Sequence, residues 1–286
     1  MTDNPSAMRT KDALKRAALT IAVAVFLGYG GIIAWLKVNE PRLVYQVEWS
    51  KGREQPLDPA LSAVSLVSAP GVTLDMLTTR ADSTSDTGLW ILLFHGNGAT
   101  VRGRTIQGQI LSLRRAGFSV LAPDYRGFGN STGEPSEAGL YEDGVAVYRY
   151  LIDSLGVPPE RVVLMGHSLG SGVAVEVATR YAAAAVVLAG AYTSVPDRAQ
   201  ELYPWIPVAA VAGERFASIE KMERVRIPVL VAHAIGDDLI PFHHGERLFA
   251  AAHQPKMLFR SNGDHVDAPF DEADRLRDSL LVLMER

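Results

Sequence analysis

The chain has 286 residues, of which 48% are hydrophobic and 21% charged, and it contains no Cys. This composition excludes a disordered, collagen-like or coiled-coil protein, and the absence of Cys excludes disulfides, cysteine-based zinc sites and a thiol nucleophile. The net charge is −4, and beyond the first 36 residues 24 basic groups face 30 acidic ones. That balance argues against a protein that binds nucleic acid through phosphate contacts.

The first predicted element is an uncharged apolar helix at 17–36. Its 20 residues would span about 30 Å as a helix, which matches the hydrocarbon core of a bilayer. Positive charge is denser before it than after it, so we expect residues 1–16 to form a cytoplasmic tail. The preceding basic residues are Arg9, Lys11, Lys15 and Arg16.

The remaining chain, on the far (periplasmic or extracytoplasmic) side, divides into a linker over 37–58 and one folded domain over 59–286. Two other interpretations of the apolar segment stay open. Ala22-Val23-Ala24 has the pattern of a signal-peptidase site, although only a short apolar run precedes it. The segment could also be a buried core helix.

Short apolar runs alternate with amphipathic stretches after the predicted anchor. Strands are predicted at Leu61–Val67, Val72–Leu77, Leu89–Phe94, Ser119–Pro123, Val162–Met165, Ala185–Leu188, Val229–Ala232 and Met257–Phe259. Helices are predicted at about 102–116, 136–155, 169–182, 244–252 and 270–285. This alternation predicts the α/β class, a mostly parallel sheet with helices on both faces.

The clearest chemical motif follows the fifth predicted strand. Gly166-His167-Ser168-Leu169-Gly170 has the pattern Gly-x-Ser-x-Gly, and a helical stretch of small residues begins directly after it. A serine on so sharp a turn needs neighbours without a Cβ atom, so that strand and helix can approach closely. The motif therefore predicts a nucleophilic serine at Ser168, against the simpler possibility of a glycine turn.

A nucleophilic serine needs a base and an acid that orients the base. Polar turns follow two late strands, which places Asp237 and His265 at the carboxyl edge of the sheet. We predict His265 as the base and one of the two adjacent aspartates of the other turn, Asp237 or Asp238, as the acid. The other downstream histidines are expected to be structural or solvated: His233, His243, His244 and His253.

Acyl transfer also requires donors for the developing oxyanion. The third predicted strand ends in His95-Gly96-Asn97-Gly98, a loosened turn before a helix. We predict the backbone N–H groups of Asn97 and Leu169 as the two donors. The competing interpretation is that the turn is only structural.

Asp124–Tyr141 resembles the signature loop of α/β-hydrolases. It is most similar to the membrane-anchored branch that includes monoacylglycerol lipases, lysophospholipid lipases and protein depalmitoylases. The similarity covers about residues 40–285. Its other parts are the serine turn, the His95-Gly96-Asn97 turn, His233–Pro241, Tyr203–Pro207 and Asn262–His265.

The resemblance implies an α/β-hydrolase fold and five site residues. These are nucleophile Ser168, acid Asp237, base His265 and oxyanion donors Asn97 and Leu169. The sequence departs from the family at Gly98-Ala99-Thr100, where relatives usually carry a second Asn. It departs again at Asp264, where relatives often have a small residue.

Cofactor and metal motifs are weak, so we expect a hydrolase that needs no cofactor. Gly127-Phe128-Gly129 supplies the first two glycines of a dinucleotide-binding fingerprint, but the next glycine, Gly133, is not at the third position of that pattern. His243-His244 alone is a poor metal site, so no metal is expected.

Only a short lid is expected between Ala189 and Ile227, with apolar side chains that either cover the sheet edge or accept an acyl chain. We therefore predict a membrane-anchored serine hydrolase acting on carboxylic esters or thioesters, with a small-molecule or lipid-like acyl ester as substrate. One alternative is a serine aminopeptidase of the same fold, for which Glu214 and Glu220 could bind the substrate's amine. The other is a catalytically inactive binding module.

Overall fold

The computed structural model describes the backbone of residues 5–285 and the side chains of residues 13–285. Residues 1–4 and 286, and the side chains of Arg9 and Lys11, lie outside that description. The described chain forms a long N-terminal helix followed by an eight-stranded sheet covered by helices.

The sheet confirms the strands that the sequence predicts. They are β1 (Ser62–Ala69), β2 (Val72–Thr79), β3 (Trp90–Phe94), β4 (Ser119–Pro123), β5 (Val162–His167), β6 (Ala185–Ala189), β7 (Val229–Ala234) and β8 (Lys256–Ser261). Their order is β1-β2-β4-β3-β5-β6-β7-β8. The β1–β2 and β2–β4 pairs are antiparallel and the others parallel. The carboxyl ends of the parallel strands therefore meet at one edge.

The helices are α1 (Pro5–Val44), α2 (Val47–Ser50), α3 (Arg104–Arg115), α4 (Glu137–Arg149), α5 (Leu169–Ala178), α6 (Val195–Leu202), α7 (Val208–Val211), α8 (Ser218–Lys221), α9 (Phe242–Ala251) and α10 (Ala273–Met284). All five predicted helical regions contain one of them. Strands β3 to β7 are buried at every residue, which explains their uninterrupted apolar runs.

Successive residues of β3 point to opposite faces of the sheet, and each face has its own core. Leu92 and Phe94 belong to the core that includes residues of α4 and α5. Ile91 and Leu93 belong to the core that includes residues of α3 and α10. The sheet is therefore held between two helical layers, which fixes the edge where the predicted site residues lie.

The segment between β6 and β7 is a short lid made of α6, α7 and α8. It is too small to be a separate domain, as the sequence predicts. Ser194 begins the lid by accepting a hydrogen bond from the N–H of Asp197 at 3.0 Å, which caps α6. Trp205 lies between α6 and α7 and is 71% exposed.

Helix α1 is 40 residues long, or about 60 Å at the usual rise of an α-helix. A window within Ala13–Ser50 has a mean hydropathy of 2.1, and none of that window is buried inside the protein. By length and composition α1 is able to cross a membrane. It also continues beyond the predicted span of 17–36, because the polar residues after Leu36 remain helical up to Val44.

The segment 37–58, predicted as a linker, is partly helical and packs on the folded domain. Tyr45 is buried, and its ring lies 6.3 Å from that of Phe216 in the lid. The Ser50 hydroxyl accepts a hydrogen bond from the N–H of Gly129 at 2.9 Å. Its polar composition resembles a linker, but partners distant in sequence hold it against the domain.

Candidate active site

Ser168 lies on a sharp turn between β5 and α5. Its φ is 50° and its ψ is −118°, a conformation that non-glycine residues adopt rarely and usually at functional sites. A Cβ atom on Gly166 would lie 2.5 Å from Cα of Ser171, and one on Gly170 would lie 2.8 Å from the carbonyl oxygen of His95. Both glycines of the motif are therefore required by close backbone approach.

His265 and Asp237 are in direct contact. Nδ1 of His265 lies 2.7 Å from Oδ2 of Asp237, and both residues are largely buried. A carboxylate accepts hydrogen bonds, so it favours the tautomer in which Nδ1 carries the proton and Nε2 is able to accept one. Among the described residues, Nε2 of His265 has no hydrogen-bond partner.

The carboxylate of Asp237 is held by several donors. Its Oδ1 accepts from the N–H groups of Leu239 at 3.0 Å and Ile240 at 2.7 Å. Burial disfavours ionisation, but the hydrogen bonds from His233, His265 and Ile240 outweigh burial and hold the pKa of Asp237 well below its ordinary value. Asp237 is therefore ionised at neutral pH. It is buried beside His265, whereas the competing Asp238 is exposed.

Two histidines that sequence reasoning did not place in the site support it. Nε2 of His233 lies 2.8 Å from the carbonyl oxygen of Ile240 and 3.4 Å from Oδ2 of Asp237. Nε2 of His167 lies 2.7 Å from the carbonyl oxygen of His265, and the two rings are 5.0 Å apart. His167 lies within the serine motif and His233 begins the block His233–Pro241, but neither pattern indicated which partner the ring would contact.

The turn after β3 lies against the serine. A Cβ atom on Gly96 would lie 3.3 Å from Cβ of Ser168, so the backbone of the turn passes close to the predicted nucleophile. The N–H groups of Asn97 and Leu169 take part in none of the hydrogen bonds between described residues. The first N–H groups of a helix have no acceptor within the helix, which leaves that of Leu169 available to a ligand.

The side chain of Asn97 connects this turn to the end of α1. Its Oδ1 accepts from the N–H of Gln46 at 3.0 Å and from that of Gly98 at 3.0 Å. Its Nδ2 donates to the carbonyl oxygen of Val44 at 2.6 Å. At Gly98, where the sequence departs from the family, φ is +66° and a side chain would be strained.

A cavity of about 1390 Å³ contains Ser168, Leu169, Asn97 and His265 in its wall. Asp237 is not among the residues that line the cavity, in keeping with its position behind the imidazole. Apolar side chains from α1 and the lid form much of the remaining wall. They are Trp35, Leu36, Leu43, Val44, Leu202, Tyr203, Ile206, Val208 and Val211.

Glu201 of the lid approaches the adjacent pair His243 and His244. Its carboxylate oxygens lie 2.8 Å from Nε2 of His243 and 3.2 Å from Nε2 of His244. The three ligand atoms lie within 4.8 Å of one another. The sequence predicts no metal here, and none of the site residues described above belongs to this cluster.

The fold resembles that of solved esterases. The Pyrococcus furiosus esterase Pf2001 aligns with a TM-score of 0.64 and 17% identity, covering 81% of this chain and 97% of the esterase. Est1E from Butyrivibrio proteoclasticus, solved with ferulic acid bound, aligns with a TM-score of 0.65 and 17% identity over 78% and 100% of the two chains. These similarities define an α/β-hydrolase fold.

Sequence comparison then defines the family. The model of a family described as "Serine aminopeptidase, S33" matches residues 87–219. The chain is 33% identical over 257 residues to an uncharacterized protein of Mycobacterium tuberculosis, covering 85% of this chain and 86% of that protein. The chain belongs to the α/β-hydrolase family of serine hydrolases, as the sequence predicts, and it is an esterase- or lipase-like enzyme.

Relatives with assigned names are longer than this chain. Lysophosphatidylserine lipase ABHD12 of Danio rerio is 33% identical over 203 residues, covering 64% of this chain and 52% of the lipase. Alpha/beta hydrolase domain-containing protein 17B of Xenopus laevis is 33% identical over 183 residues, covering 62% of this chain and 60% of the relative. The chain thus spans between half and two thirds of these proteins.

Proposed function

We propose that this chain is a membrane-anchored serine hydrolase that cleaves ester or thioester bonds of acyl lipids. Ser168 is the nucleophile, His265 the general base and Asp237 the acid that orients the base. The observation that carries the proposal is the 2.7 Å contact between His265 and Asp237, with His265 in the same cavity as the strained Ser168.

In the acylation step, Oγ of Ser168 attacks the substrate's carbonyl carbon while Nε2 of His265 takes the hydroxyl proton. The carbonyl oxygen becomes an oxyanion, which the N–H groups of Asn97 and Leu169 stabilise. The bond from the carbonyl carbon to the leaving oxygen or sulfur then breaks, and His265 returns the proton to the leaving group. Water repeats the sequence on the acyl-enzyme, releasing a carboxylic acid and restoring Ser168.

Asp237 contributes by remaining charged throughout. Its carboxylate fixes the imidazole tautomer and stabilises the imidazolium that forms when His265 accepts a proton. The backbone N–H groups of Leu239 and Ile240 and the ring of His233 keep the carboxylate in place. His233 and His167 are positioning residues, because both act through another site residue.

Membrane anchoring is proposed from α1. Residues 17–36 would cross the bilayer with 1–16 in the cytoplasm, and the hydrolase domain, 59–286, would lie on the far side. A lipid-like substrate is supported by the apolar lining of the cavity and by the similarity to a lysophosphatidylserine lipase.

The aminopeptidase alternative has less support, although the matching family carries that description. Such an enzyme needs a free carboxylate in the cavity to bind the substrate's amine. The carboxylate of Glu214 accepts from the hydroxyl of Tyr45 and from the N–H of Glu137. Glu220 lies 3.6 Å from Arg215, and neither glutamate lines the cavity.

The nucleophile is tested by labelling membranes that contain the full chain with a fluorescent fluorophosphonate. Wild type and Ser65→Ala, a change at an exposed serine of β1, are expected to be labelled equally. Ser168→Ala is expected to lose the label. Undiminished labelling of Ser168→Ala would overturn the assignment, and hydrolysis of an aminoacyl amide in preference to acyl esters would favour the aminopeptidase.

A further inference from the structure

Helix α1 forms part of the wall of the cavity that contains Ser168. Trp35 and Leu43 of α1 line it together with Leu202 and Ile206 of the lid. Its volume of about 1390 Å³ exceeds the range of roughly 300–1,000 Å³ that is usual for pockets of drug-sized ligands. The cavity therefore has room for a molecule much larger than a short-chain ester.

Hydrogen bonds fasten α1 to the lid at two levels. The hydroxyl of Tyr29 donates to the carbonyl oxygen of Trp205 at 2.8 Å. Oε1 of Glu40 accepts from the N–H groups of Gly213 at 2.6 Å and Glu214 at 2.8 Å. Tyr29 and Glu40 are about 16 Å apart along the helix axis, so α1 and the lid are joined over three helical turns.

Large apolar side chains around the cavity are unusually exposed. Trp35 is 58% exposed, Leu43 50%, Leu202 51% and Leu239 57%. Leaving such side chains in water forgoes the free energy of burying them, and exposed apolar clusters commonly mark binding surfaces. Hydrocarbon contacting these side chains would recover that free energy.

The lid also meets α1 within its apolar segment. Tyr29 belongs to the segment 17–36, and its partner Trp205 is 71% exposed. Tryptophan is enriched where proteins meet the interface between lipid and water. Trp35 and Leu43 follow at the end of that segment and beyond it, so the cavity lies at the level where a bilayer around α1 would end.

We propose that α1 is part of the substrate-binding site, and that Trp35 and Leu43 bind the acyl chain of a lipid ester. The substrate reaches Ser168 from the same bilayer that surrounds α1. This inference rests on the proposed ester hydrolase function. It adds that chain-length preference depends on residues of the anchoring helix and not only on the hydrolase domain.

The test compares hydrolysis of nitrophenyl palmitate and nitrophenyl butyrate by the full chain in detergent micelles. Leu43→Trp fills the cavity from α1 and is expected to lower the palmitate-to-butyrate ratio of kcat/KM by about tenfold or more, the scale on which apolar pockets discriminate chain length. Val38→Trp is the matched control, because Val38 is on α1 and 80% exposed but does not line the cavity. Its ratio should stay within about twofold of wild type, within the variation of surface substitutions.

Trp35→Ala is a second variant that removes a contact instead of adding bulk, and its ratio should also fall. Fluorophosphonate labelling confirms that each variant is folded, and if Leu43→Trp does not label, Trp35→Ala decides. A wild-type ratio in the labelled variants overturns the inference while leaving the proposed function intact. A wild-type protein that hydrolyses neither ester contradicts the proposed function itself.

Discussion

The side-chain amide of Asn97 donates to the carbonyl oxygen of Val44 at 2.6 Å. This hydrogen bond joins the turn after β3 to the last residue of α1. The backbone N–H of Asn97 is the proposed oxyanion donor, so its direction depends on a contact with α1.

Replacing Asn97 by Ala keeps the backbone N–H but removes the connection to Val44 and Gln46. We expect the N–H of Asn97 to lose part of its alignment with the oxyanion, so kcat/KM for an acyl ester should fall by about tenfold or more, up to the roughly 10²–10³-fold cost of removing an oxyanion donor outright. Asn130→Ala, at an exposed asparagine of another loop, is the control and should have wild-type activity. Equal activity of Asn97→Ala and wild type would show that the turn is positioned without α1.

Asp237→Asn should abolish most activity, whereas Asp238→Asn should not. An amide at position 237 favours the wrong imidazole tautomer and does not stabilise the imidazolium, and in a comparable triad this change lowers kcat about 10⁴-fold. Asp238 is adjacent but exposed, which makes it a matched control. Steady-state kinetics of both variants test this assignment. If Asp238→Asn lost activity and Asp237→Asn did not, Asp238 would be the acid that orients His265.

Replacing glycine by alanine should have opposite effects on stability at two positions of the structure. A Cβ atom on Gly170 would lie 2.8 Å from the carbonyl oxygen of His95, so Gly170→Ala should lower the free energy of unfolding by about 1–3 kcal/mol or more. Gly108 in α3 has no heavy atom within 4 Å of such a Cβ, and Gly108→Ala should raise it by about 0.5–1 kcal/mol. Thermal unfolding of the two variants tests both signs, and a stabilised Gly170→Ala would contradict the close contact at the serine turn.

His167 makes stability depend on pH. Burial and the neighbouring His265 lower the pKa of His167 from 6.5 to about 4, so the ring is neutral in the folded protein. As the pH is lowered below 6.5, this side chain takes up a proton in the unfolded chain but not in the folded one. The unfolded chain then binds more protons, so the free energy of unfolding decreases as the pH decreases. The loss by about pH 4 should approach about 3 kcal/mol.

Denaturant unfolding of wild type and His167→Asn across this pH range measures that contribution. The variant should show a flatter dependence, because its side chain does not titrate. Parallel curves for the two proteins would contradict the prediction.

Many of the strands and turns of the domain could be predicted from local sequence patterns. Strands β3 to β7 are buried on both faces. Each therefore appears in the sequence as a nearly uninterrupted apolar segment about as long as the strand. The requirement for Gly166 in the serine turn is likewise local, since a Cβ atom there would lie 2.5 Å from Cα of Ser171. These features depend on neighbours in the chain or on general burial, which a sequence pattern reflects.

Contacts between segments that are distant in the chain could not be predicted from the sequence. The sequence after Leu36 contains Lys37, Asn39, Glu40 and Pro41, which resembles the end of a helix and the start of a linker. Helix α1 continues to Val44 and is held by Glu40, whose acceptor oxygen meets N–H groups at Gly213 and Glu214. Likewise, nothing near His167 in sequence indicates that its Nε2 would lie 2.7 Å from the carbonyl oxygen of His265, 98 residues further along the chain.

The unbroken course of α1 into the domain has a consequence for the kinetics of the proposed enzyme. With α1 in a bilayer and fastened to the lid, the domain is unable to swing towards another membrane or sample the surrounding water freely. Such an enzyme would work in cis, on molecules diffusing in two dimensions within its own leaflet. Its rate would then follow the mole fraction of substrate in that leaflet, and adding inert lipid would slow it without any change in bulk concentration.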